Sequence, residues 1–303
     1  MSRTAQDVLE LDRLRDLVRG ETTCALGRRA VDALAFSTDR AYLDSQFDLI
    51  VEAIAYLRAG NDLGFGALPD PQEWLAKVEA PSASLTPLEL LEVASLVDTT
   101  EALRQAFRGD APGFPLLAAR AASLADSRAL AREIRRVILP DGSIADDASP
   151  ALKRARIALS RTRGSIEKAL ERILRGRGLP PGEDYVTRRN DRLVLPVRAG
   201  ERSAVPGVVH SASATGQTLF VEPFETVELN NRLVELSEEE AAEIVRLLAE
   251  LTARVQGALA SLRAAAAVVA EFDSLFARAR FSRRLDCARP IFSAPPPAAA
   301  RLA

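Results

Sequence analysis

Basic side chains are concentrated in one sixth of this 303-residue sequence. Residues 151–202 contain 14 Lys or Arg against 6 Asp or Glu, a balance of +8, whereas the remaining residues contain 26 basic and 36 acidic side chains. The net charge of the whole chain is only −2. Because dense guanidinium and ammonium groups attract phosphates, this segment predicts a surface that binds a polyanion. A solvated basic helix face without a partner is the alternative interpretation.

The candidate contacts with phosphate are the basic side chains in the second half of this segment. They lie on the end of a predicted helix, on a predicted β-hairpin and just beyond it. Phosphate contacts of this kind give salt-dependent binding and carry little base-sequence information. Few aromatic side chains are present to stack single-stranded bases, so we expect the backbone of duplex or branched nucleic acid as the ligand. The nine candidates are Lys168, Arg172, Arg175, Arg177, Arg188, Arg189, Arg192, Arg198 and Arg202.

The sequence offers little material for catalysis or metal binding. His210 is the only histidine, and Cys24 and Cys287 are the only cysteines, so one chain cannot supply a four-ligand Cys/His zinc site. The motifs Gly-x-x-x-x-Gly-Lys-[Ser/Thr], Gly-x-Gly-x-x-Gly and His-Glu-x-x-His are absent from the sequence. We therefore predict no catalytic residue, metal or cofactor in this chain. We also predict two buried free thiols, and a His210 that is satisfied by a neighbouring side chain.

The spacing of apolar residues predicts a mostly helical protein. Helical patterns fill the chain to about residue 150, and Thr86, Pro87 and Glu89 form the signature of a helix start with a capping box. Residues 151–178 then repeat apolar side chains every seven residues, and residues 224–256 carry a second long apolar stripe. These two patterns favour an antiparallel coiled coil between two long helices.

The intervening residues 179–223 predict β structure with two hairpins. The first hairpin is expected to turn through the polar residues 188–192, and the second through 211–217. The expected fold is mostly α, a helical core and lever with a long antiparallel coiled-coil pair that carries a small β-rich clamp at its tip. In chain order the predicted parts are a helical core/lever (1–150), a first long lever helix (151–178), the clamp (179–223), a returning lever helix (224–256), a helical return to the core (257–290) and a linker or tail (291–303).

No segment approaches the ~20 consecutive apolar residues that a membrane-spanning helix requires. The densest apolar run covers only residues 264–270. Residues 1–7 lack the apolar stretch of a signal peptide. We therefore expect a cytoplasmic protein without a membrane partner.

Several local stretches, and the order of the predicted elements, resemble the second bacterial MutS family (MutS-II), the recombination-suppressing branch that lacks the mismatch-reading domain. The matching stretches include residues 9–12, 26–28, 85–91, 141–150, 192–197, 206–210, 213–223 and 228–231. The resemblance implies a helical core-and-lever region that bears a clamp. It also implies that a P-loop ATPase dimer, and often a Smr-type nuclease, follow this region in the full-length family. ATP and Mg²⁺ would belong to that ATPase domain, so we expect this chain to be a non-catalytic N-terminal fragment of a homodimeric ATPase that is in some members an endonuclease.

Three hypotheses of function remain open. In the first, suggested by the resemblance, the chain is a clamp and lever of a nucleoid-associated protein that contacts the phosphate backbone of duplex or branched DNA, including four-way Holliday junctions, and takes part in suppressing recombination. In the second, the same surface binds ribosomal RNA on stalled ribosomes. In the third, the chain is a coiled-coil spacer without any contact to nucleic acid.

Overall fold

The computed structural model describes residues 10–66, 68–108, 113–176 and 186–292. The described helices are α1 (Leu11–Arg19), α2 (Ala25–Asp32), α3 (Arg40–Arg58), α4 (Gln72–Lys77), α5 (Pro87–Ala106), α6 (Pro115–Ala122), α7 (Arg128–Val137), α8 (Pro150–Gly176), α9 (Val227–Gly257) and α10 (Leu259–Arg284). The strands are β1 (Thr187–Arg189), β2 (Arg192–Arg198), β3 (Gly207–Ala212) and β4 (Thr218–Pro223). The predicted fold class, mostly α with one small antiparallel sheet, is confirmed. Across these ranges, each helix is too short or too polar to cross a membrane.

The chain divides into two compact units. Unit 1 consists of Met1–Arg135 and Thr252–Ala303, and unit 2 consists of Arg136–Leu251. The sheet and all the described candidate phosphate contacts belong to unit 2. The position of the candidate surface is therefore decided by the packing within unit 2.

Helix α10 is the centre of unit 1, where it packs against α1, α2, α3 and α5. Its buried face includes Phe272 and Phe276, which are 1% and 0% exposed. The Tyr56 ring on α3 lies 5.6 Å from the Phe276 ring and 5.1 Å from the Phe107 ring at the end of α5, measured between centroids. Aromatic pairs at such distances add to the free energy gained by burial of their area. With few aromatic residues available, unit 1 places them together in its core.

The start of α5 shows how local sequence fixes a helix boundary in unit 1. The Glu89 amide donates to the Thr86 hydroxyl at 3.3 Å, and the Thr86 amide donates to the Glu89 carboxylate at 2.6 Å. Pro87 occupies the first turn, where a missing amide hydrogen costs nothing. The predicted capping box is therefore confirmed.

A buried carboxylate ties α10 to the start of α2. Asp273 is 0% exposed and accepts from the amides of Thr23 and Cys24 at 3.0 and 2.9 Å, and from the Thr23 hydroxyl at 2.8 Å. Burial, together with the neighbouring Asp273, raises the pKa of the Cys24 thiol to about 11. Cys24 is thus the buried free thiol that the sequence predicted. The same prediction for Cys287 is wrong, because this residue follows the end of α10 and is exposed.

In unit 2, α8 and α9 lie side by side and run antiparallel. Ser149, just before α8, donates through its hydroxyl to Glu243 at 2.6 Å, and Arg156 on α8 donates to Glu240 at 2.7 Å. Later residues of α8 thus meet earlier residues of α9. Of the α8 side chains spaced by seven, Leu152 and Ile166 are fully buried. The seven-residue period therefore marks the inner face of α8.

A four-stranded antiparallel sheet, in the order β1-β2-β4-β3, packs on this helix pair. One apolar cluster joins the three elements: Ile166 and Leu170 from α8, Leu195, Val197 and Val221 from the sheet, Val205 from the β2–β3 connection and Leu233 from α9. The second predicted hairpin is confirmed as the β3–β4 pair. His210 is the extra residue of a β-bulge in β3, because Val209 pairs with Val221 and Ser211 with Phe220.

The first hairpin differs from the prediction in its turn. Its turn consists only of Asn190 and Asp191, whose φ angles of 49° and 63° suit a two-residue turn with a left-handed backbone. Arg188, Arg189 and Arg192 therefore belong to β1 and β2 instead of an open polar loop. This placement decides which of the three arginines can face a ligand.

Candidate nucleic-acid interface

The end of α8 presents three of the predicted cations to solvent. The buried face of this helix segment carries Ile166 and Leu170, so Lys168, Arg172 and Arg175 point away from the apolar cluster and are exposed. The Arg172 side chain is 72% exposed and lies 2.6 Å from Glu225, and the Arg175 side chain is 81% exposed and lies 3.1 Å from Glu171. Exposed ion pairs of this kind contribute about 0–1 kcal/mol to stability. A phosphate can therefore replace the glutamate as the partner of each arginine. Arg177 lies outside the described residues.

Arg188 and Arg198 present further positive charge on the sheet. The Arg188 side chain is 56% exposed, contacts the carboxylate of Asp191, and lines a groove together with Arg163 of α8. Arg198 is exposed at the end of β2. Five of the nine predicted candidates are thus exposed cations of α8 and the sheet.

Arg192 instead joins the sheet to a buried carboxylate and to α9. Its Nη1 donates to Glu222 Oε1 at 2.8 Å, and its Nη2 donates to Asn231 Oδ1 at 2.6 Å. Glu222 is 2% exposed, and its other oxygen lies 2.6 Å from His210 Nε2. A buried carboxylate needs such partners to offset its lost hydration. The expected neighbour of His210 is therefore Glu222, and the Arg192 guanidinium is held by contacts within unit 2.

Arg189 and Arg202 are also held by contacts within unit 2. The Arg189 guanidinium lies over the Phe220 ring, 4.0 Å from its centroid, where a cation–π contact stabilises it. Arg202 donates to the carbonyl oxygens of Val205 and Gly207 at 3.0 and 2.7 Å, and so fixes the connection between β2 and β3. These two arginines therefore stabilise the sheet, and the exposed cations of the sheet lie elsewhere on it.

Four exposed cations on the first half of α8 were not among the predicted contacts. Lys153, Arg154, Arg161 and Arg163 lie in the same basic segment and are exposed. The nine predicted contacts start at Lys168, in the second half of the helix, and therefore do not include them. The signal that identifies two of them is the interval of seven residues that separates Arg154 from Arg161 and Arg161 from Lys168.

An ion pair on α9 predicts that the stability of unit 2 falls in acid. Arg246 donates to both oxygens of Glu243 at 2.7 Å, and the Ser149 hydroxyl donates to the same carboxylate at 2.6 Å. Hydrogen bonds from Arg246 and then Ser149 lower the pKa of Glu243 from 4.5 to about 2. Because the folded pKa lies below the ordinary value, the stabilisation is present above pH 4.5 and is lost as the pH falls toward 2.

We expect Glu243→Gln to destabilise unit 2 at neutral pH by about 1 kcal/mol, a modest value because Arg246 is half exposed and screened by water. The difference between the two proteins should shrink as the pH is lowered through the range in which the wild-type carboxylate binds its proton. Urea unfolding, followed by the circular dichroism signal of the helices at several pH values, measures this difference in the free energy of unfolding. Glu239→Gln, on the exposed face of the same helix, is the control. A constant difference between wild type and Glu243→Gln at all pH values would contradict the assignment.

Comparison with known proteins identifies relatives along nearly the whole chain. No protein-family model matches the sequence. The chain is 35% identical over 288 residues to an endonuclease MutS2 of Geobacillus thermodenitrificans (strain NG80-2), which covers 93% of this chain and 37% of that protein. It is 35% identical over 302 residues to an endonuclease MutS2 of Gemmatimonas aurantiaca (strain DSM 14586), covering 97% of this chain and 37% of the relative.

A third relative, the endonuclease MutS2 of Pelotomaculum thermopropionicum (strain DSM 13744), is 39% identical over 211 residues, covering 69% of this chain and 27% of the relative. The chain thus spans little more than a third of the length of the relatives it matches along its whole extent. The similarity extends over the helical units and the small antiparallel sheet alike. The chain belongs to the second bacterial MutS family, that of the MutS2 proteins.

Proposed function

We propose that this chain is a non-catalytic nucleic-acid-binding clamp and lever region, and that unit 2 contacts the phosphate backbone of duplex or branched DNA. The observation that carries the proposal is the set of exposed cations on the end of α8 and the adjoining sheet. We call this set the clamp surface; it consists of Lys168, Arg172, Arg175, Arg188 and Arg198. Charge of one sign on one part of a nearly neutral chain attracts a polyanion and raises its local concentration.

Rigid supports favour this proposal. Lys168 and Arg172 flank Ala169 and Leu170, both buried, on a helix whose inner face is packed against β2 and β4. Arg188 lies on a strand whose turn and register are fixed by its pairing with β2. Groups on rigid elements lose little conformational freedom when a ligand binds, so more of the interaction energy appears as affinity. Contacts limited to phosphates give binding to backbone shape without base preference.

The activity of the whole protein belongs to the same proposal. The relatives are named endonucleases, which supports a nuclease activity for the whole protein. The family resemblance adds the rest of this proposal: a homodimer with its own ATPase that acts on branched DNA in the nucleoid during recombination and repair. The sequence of this chain contains no P-loop, so the proposal assigns ATP and its Mg²⁺ to another part of the whole protein. The part proposed for this chain is to hold the nucleic acid, and through its long helices to couple that contact to the rest of the protein.

Salt dependence of binding tests the proposal. We expect the chain to bind a labelled four-way junction and a linear duplex more tightly than a single strand of equal length. Three to five phosphate contacts predict a slope of log K against log salt of about −3 to −4.5, or a loss of affinity of roughly 50- to 500-fold between about 50 and 200 mM salt. Fluorescence anisotropy measures both quantities.

Two outcomes would contradict the proposal. Absence of binding at about 50 mM salt, where exposed charges are weakly screened, would favour a spacer without contact to nucleic acid. Purified ribosomes that displace the junction at equal concentration, without being displaced by an excess of it, would favour ribosomal RNA as the ligand of the same surface.

A further inference from the structure

A row of cations follows the outer face of α8 along most of the helix and drifts by only about 60° around the helix axis. Arg154, Arg161, Lys168 and Arg175 succeed one another at intervals of seven residues, and all four are exposed. Seven residues make about two turns of an α-helix, so side chains at this interval lie nearly above one another. We call these four residues the α8 row. Two of its members belong to the clamp surface, and two extend it toward the start of the helix.

The apolar side of α8 keeps this row turned outward. The buried residues of the helix are Leu152, Ala155, Ile166, Ala169 and Leu170. At 100° per residue they occupy the sector opposite the α8 row. The apolar seam and the basic row therefore share one seven-residue period on opposite sides of one helix. Packing of the seam against α9 and the sheet leaves the row facing solvent.

The two helices of the pair carry opposite charge. Pro150–Gly176 contains eight Lys or Arg and two Glu, whereas Val227–Gly257 contains three Arg and seven Glu. A polyanion is therefore attracted to α8 and repelled by α9. Arg154 borders a groove that Glu239 and Glu243 of α9 also line. At this end of the row the contrast therefore directs an approaching backbone away from the α9 side of the helix.

The length of the α8 row matches one turn of duplex. The 21-residue interval from Arg154 to Arg175 rises about 32 Å along the helix axis, and one turn of B-form duplex rises about 34–36 Å over about ten base pairs. Duplex DNA carries one phosphate charge per about 1.7 Å of its axis, so acceptors are available beside every cation of the row. Long, flexible side chains can adapt to the remaining difference in spacing.

We propose that the α8 row is a track on which about one turn of duplex lies along α8, so that the contact begins at the clamp surface and continues toward the start of the helix. The proposal rests on the function proposed above and deepens it. The ligand of unit 2 is then a linear stretch of duplex, such as one arm of a junction, and not a single phosphate cluster. Arg154 and Arg161 are binding residues in this arrangement.

The test removes the two row members that lie outside the clamp surface. Arg154→Gln with Arg161→Gln is compared with the wild-type chain on a duplex of about 24 base pairs. Each lost phosphate contact lowers the salt slope by about 0.9, so the double variant should bind with a slope lower by about 1.8 and at least about tenfold more weakly at ~100 mM salt. Arg58→Gln with Arg132→Gln removes the same number of exposed charges from unit 1 and should bind as wild type.

Duplex length provides an independent readout. Affinity for wild type should rise steeply with length up to about ten base pairs, which fill the row. In the variant that carries both Arg154→Gln and Arg161→Gln, the affinity should stop rising at a shorter duplex length. Melting curves followed by circular dichroism verify that the helices of each variant are folded.

The outcomes separate this inference from the proposed function. If the double variant keeps the wild-type slope and length dependence while changes in the clamp surface abolish binding, the track is wrong and the clamp surface stands. If the chain binds no duplex at all, both proposals are wrong. A third outcome is that the double variant binds duplex normally but no longer binds a helical peptide with Glu every seven residues. The row would then be a docking face for an acidic protein, and the proposed duplex contact would be wrong.

Discussion

Replacing Asp273 with alanine is expected to destabilise unit 1 by about 3–5 kcal/mol. The carboxylate is fully buried and is the hydrogen-bond acceptor for the amides of Thr23 and Cys24. A buried donor left without an acceptor costs about 1–3 kcal/mol. Three donors lose their acceptor here: the buried Cys24 amide, and the amide and hydroxyl of the partly buried Thr23. The loss should also release the start of α2, since that helix begins at Ala25 with no other side-chain cap.

Gly27 provides a second probe of the same contact. A Cβ atom at this position would lie 2.0 Å from Asp273 Oδ2 and 2.6 Å from Asp273 Cβ. Gly27→Ala should therefore cost about 1–3 kcal/mol through overpacking. Once Asp273→Ala has removed the carboxylate, the added methyl group meets fewer atoms. The two changes should thus be less than additive when combined.

Trp74 allows this destabilisation to be measured in unit 1 itself. It is the only tryptophan in the sequence and is 0% exposed in the core of unit 1. Urea unfolding followed by its fluorescence should show a lower midpoint for Asp273→Ala. Asp62→Ala removes a carboxylate that is 79% exposed and should change the free energy of unfolding by less than about 0.5 kcal/mol. Equal midpoints for the two aspartate variants would contradict the account of this contact.

Much of the fold could be predicted because it follows local rules. The seven-residue spacing of Leu152, Leu159, Ile166 and Ile173 identified α8 and its inner face, since periodicity depends only on neighbours along the chain. The capping box at Thr86 was predictable for the same reason. The turn of the first hairpin was not, because a polar run does not reveal that two of its residues adopt positive φ angles.

The positive charge of the candidate site could be predicted from the sequence, but the partners of its individual arginines could not. Nothing near Arg192 in the sequence indicates that Glu222, 30 residues later, is its buried partner. The stacking of Arg189 on Phe220 likewise depends on the pairing of β2 with β4. Both contacts arise from tertiary packing, which a count of charges does not include. The exposed members of the clamp surface are therefore the proper targets for mutation, since changes at Arg192 would leave a buried carboxylate without its cation.

Reversing the charge of Lys168, Arg172 and Arg175 together to glutamate is expected to weaken binding to a four-way junction by at least about 100-fold at ~100 mM salt. Three phosphate contacts are lost, which lowers the salt slope by about 2.7, and three acidic groups then repel the backbone. Stability should change little, because the ion pairs that Arg172 and Arg175 make are exposed. The matching triple Gln variant removes the contacts without the repulsion and should give the same change of slope with a smaller loss of affinity.

A matched control separates the clamp surface from net charge. Arg13, Arg58 and Arg132 are exposed cations of unit 1. Reversing them to glutamate changes the net charge of the chain by the same amount as reversal of the three α8 cations. If binding depends on total charge alone, both triple variants should lose equal affinity. If it depends on the clamp surface, only the α8 variant should lose its contacts, and the control should differ from wild type by a small factor that salt removes.

The salt dependence of junction binding by wild type, the unit 1 control and the α8 triple variant shows directly whether the exposed cations of α8 hold the phosphate backbone. Anisotropy titrations at four or more salt concentrations give one slope of log K against log salt for each protein. We expect equal slopes for the wild-type chain and the unit 1 control, and a slope shallower by about 2.7 for the α8 triple variant. Three slopes that coincide would contradict the claim that the exposed cations of α8 hold the phosphate backbone.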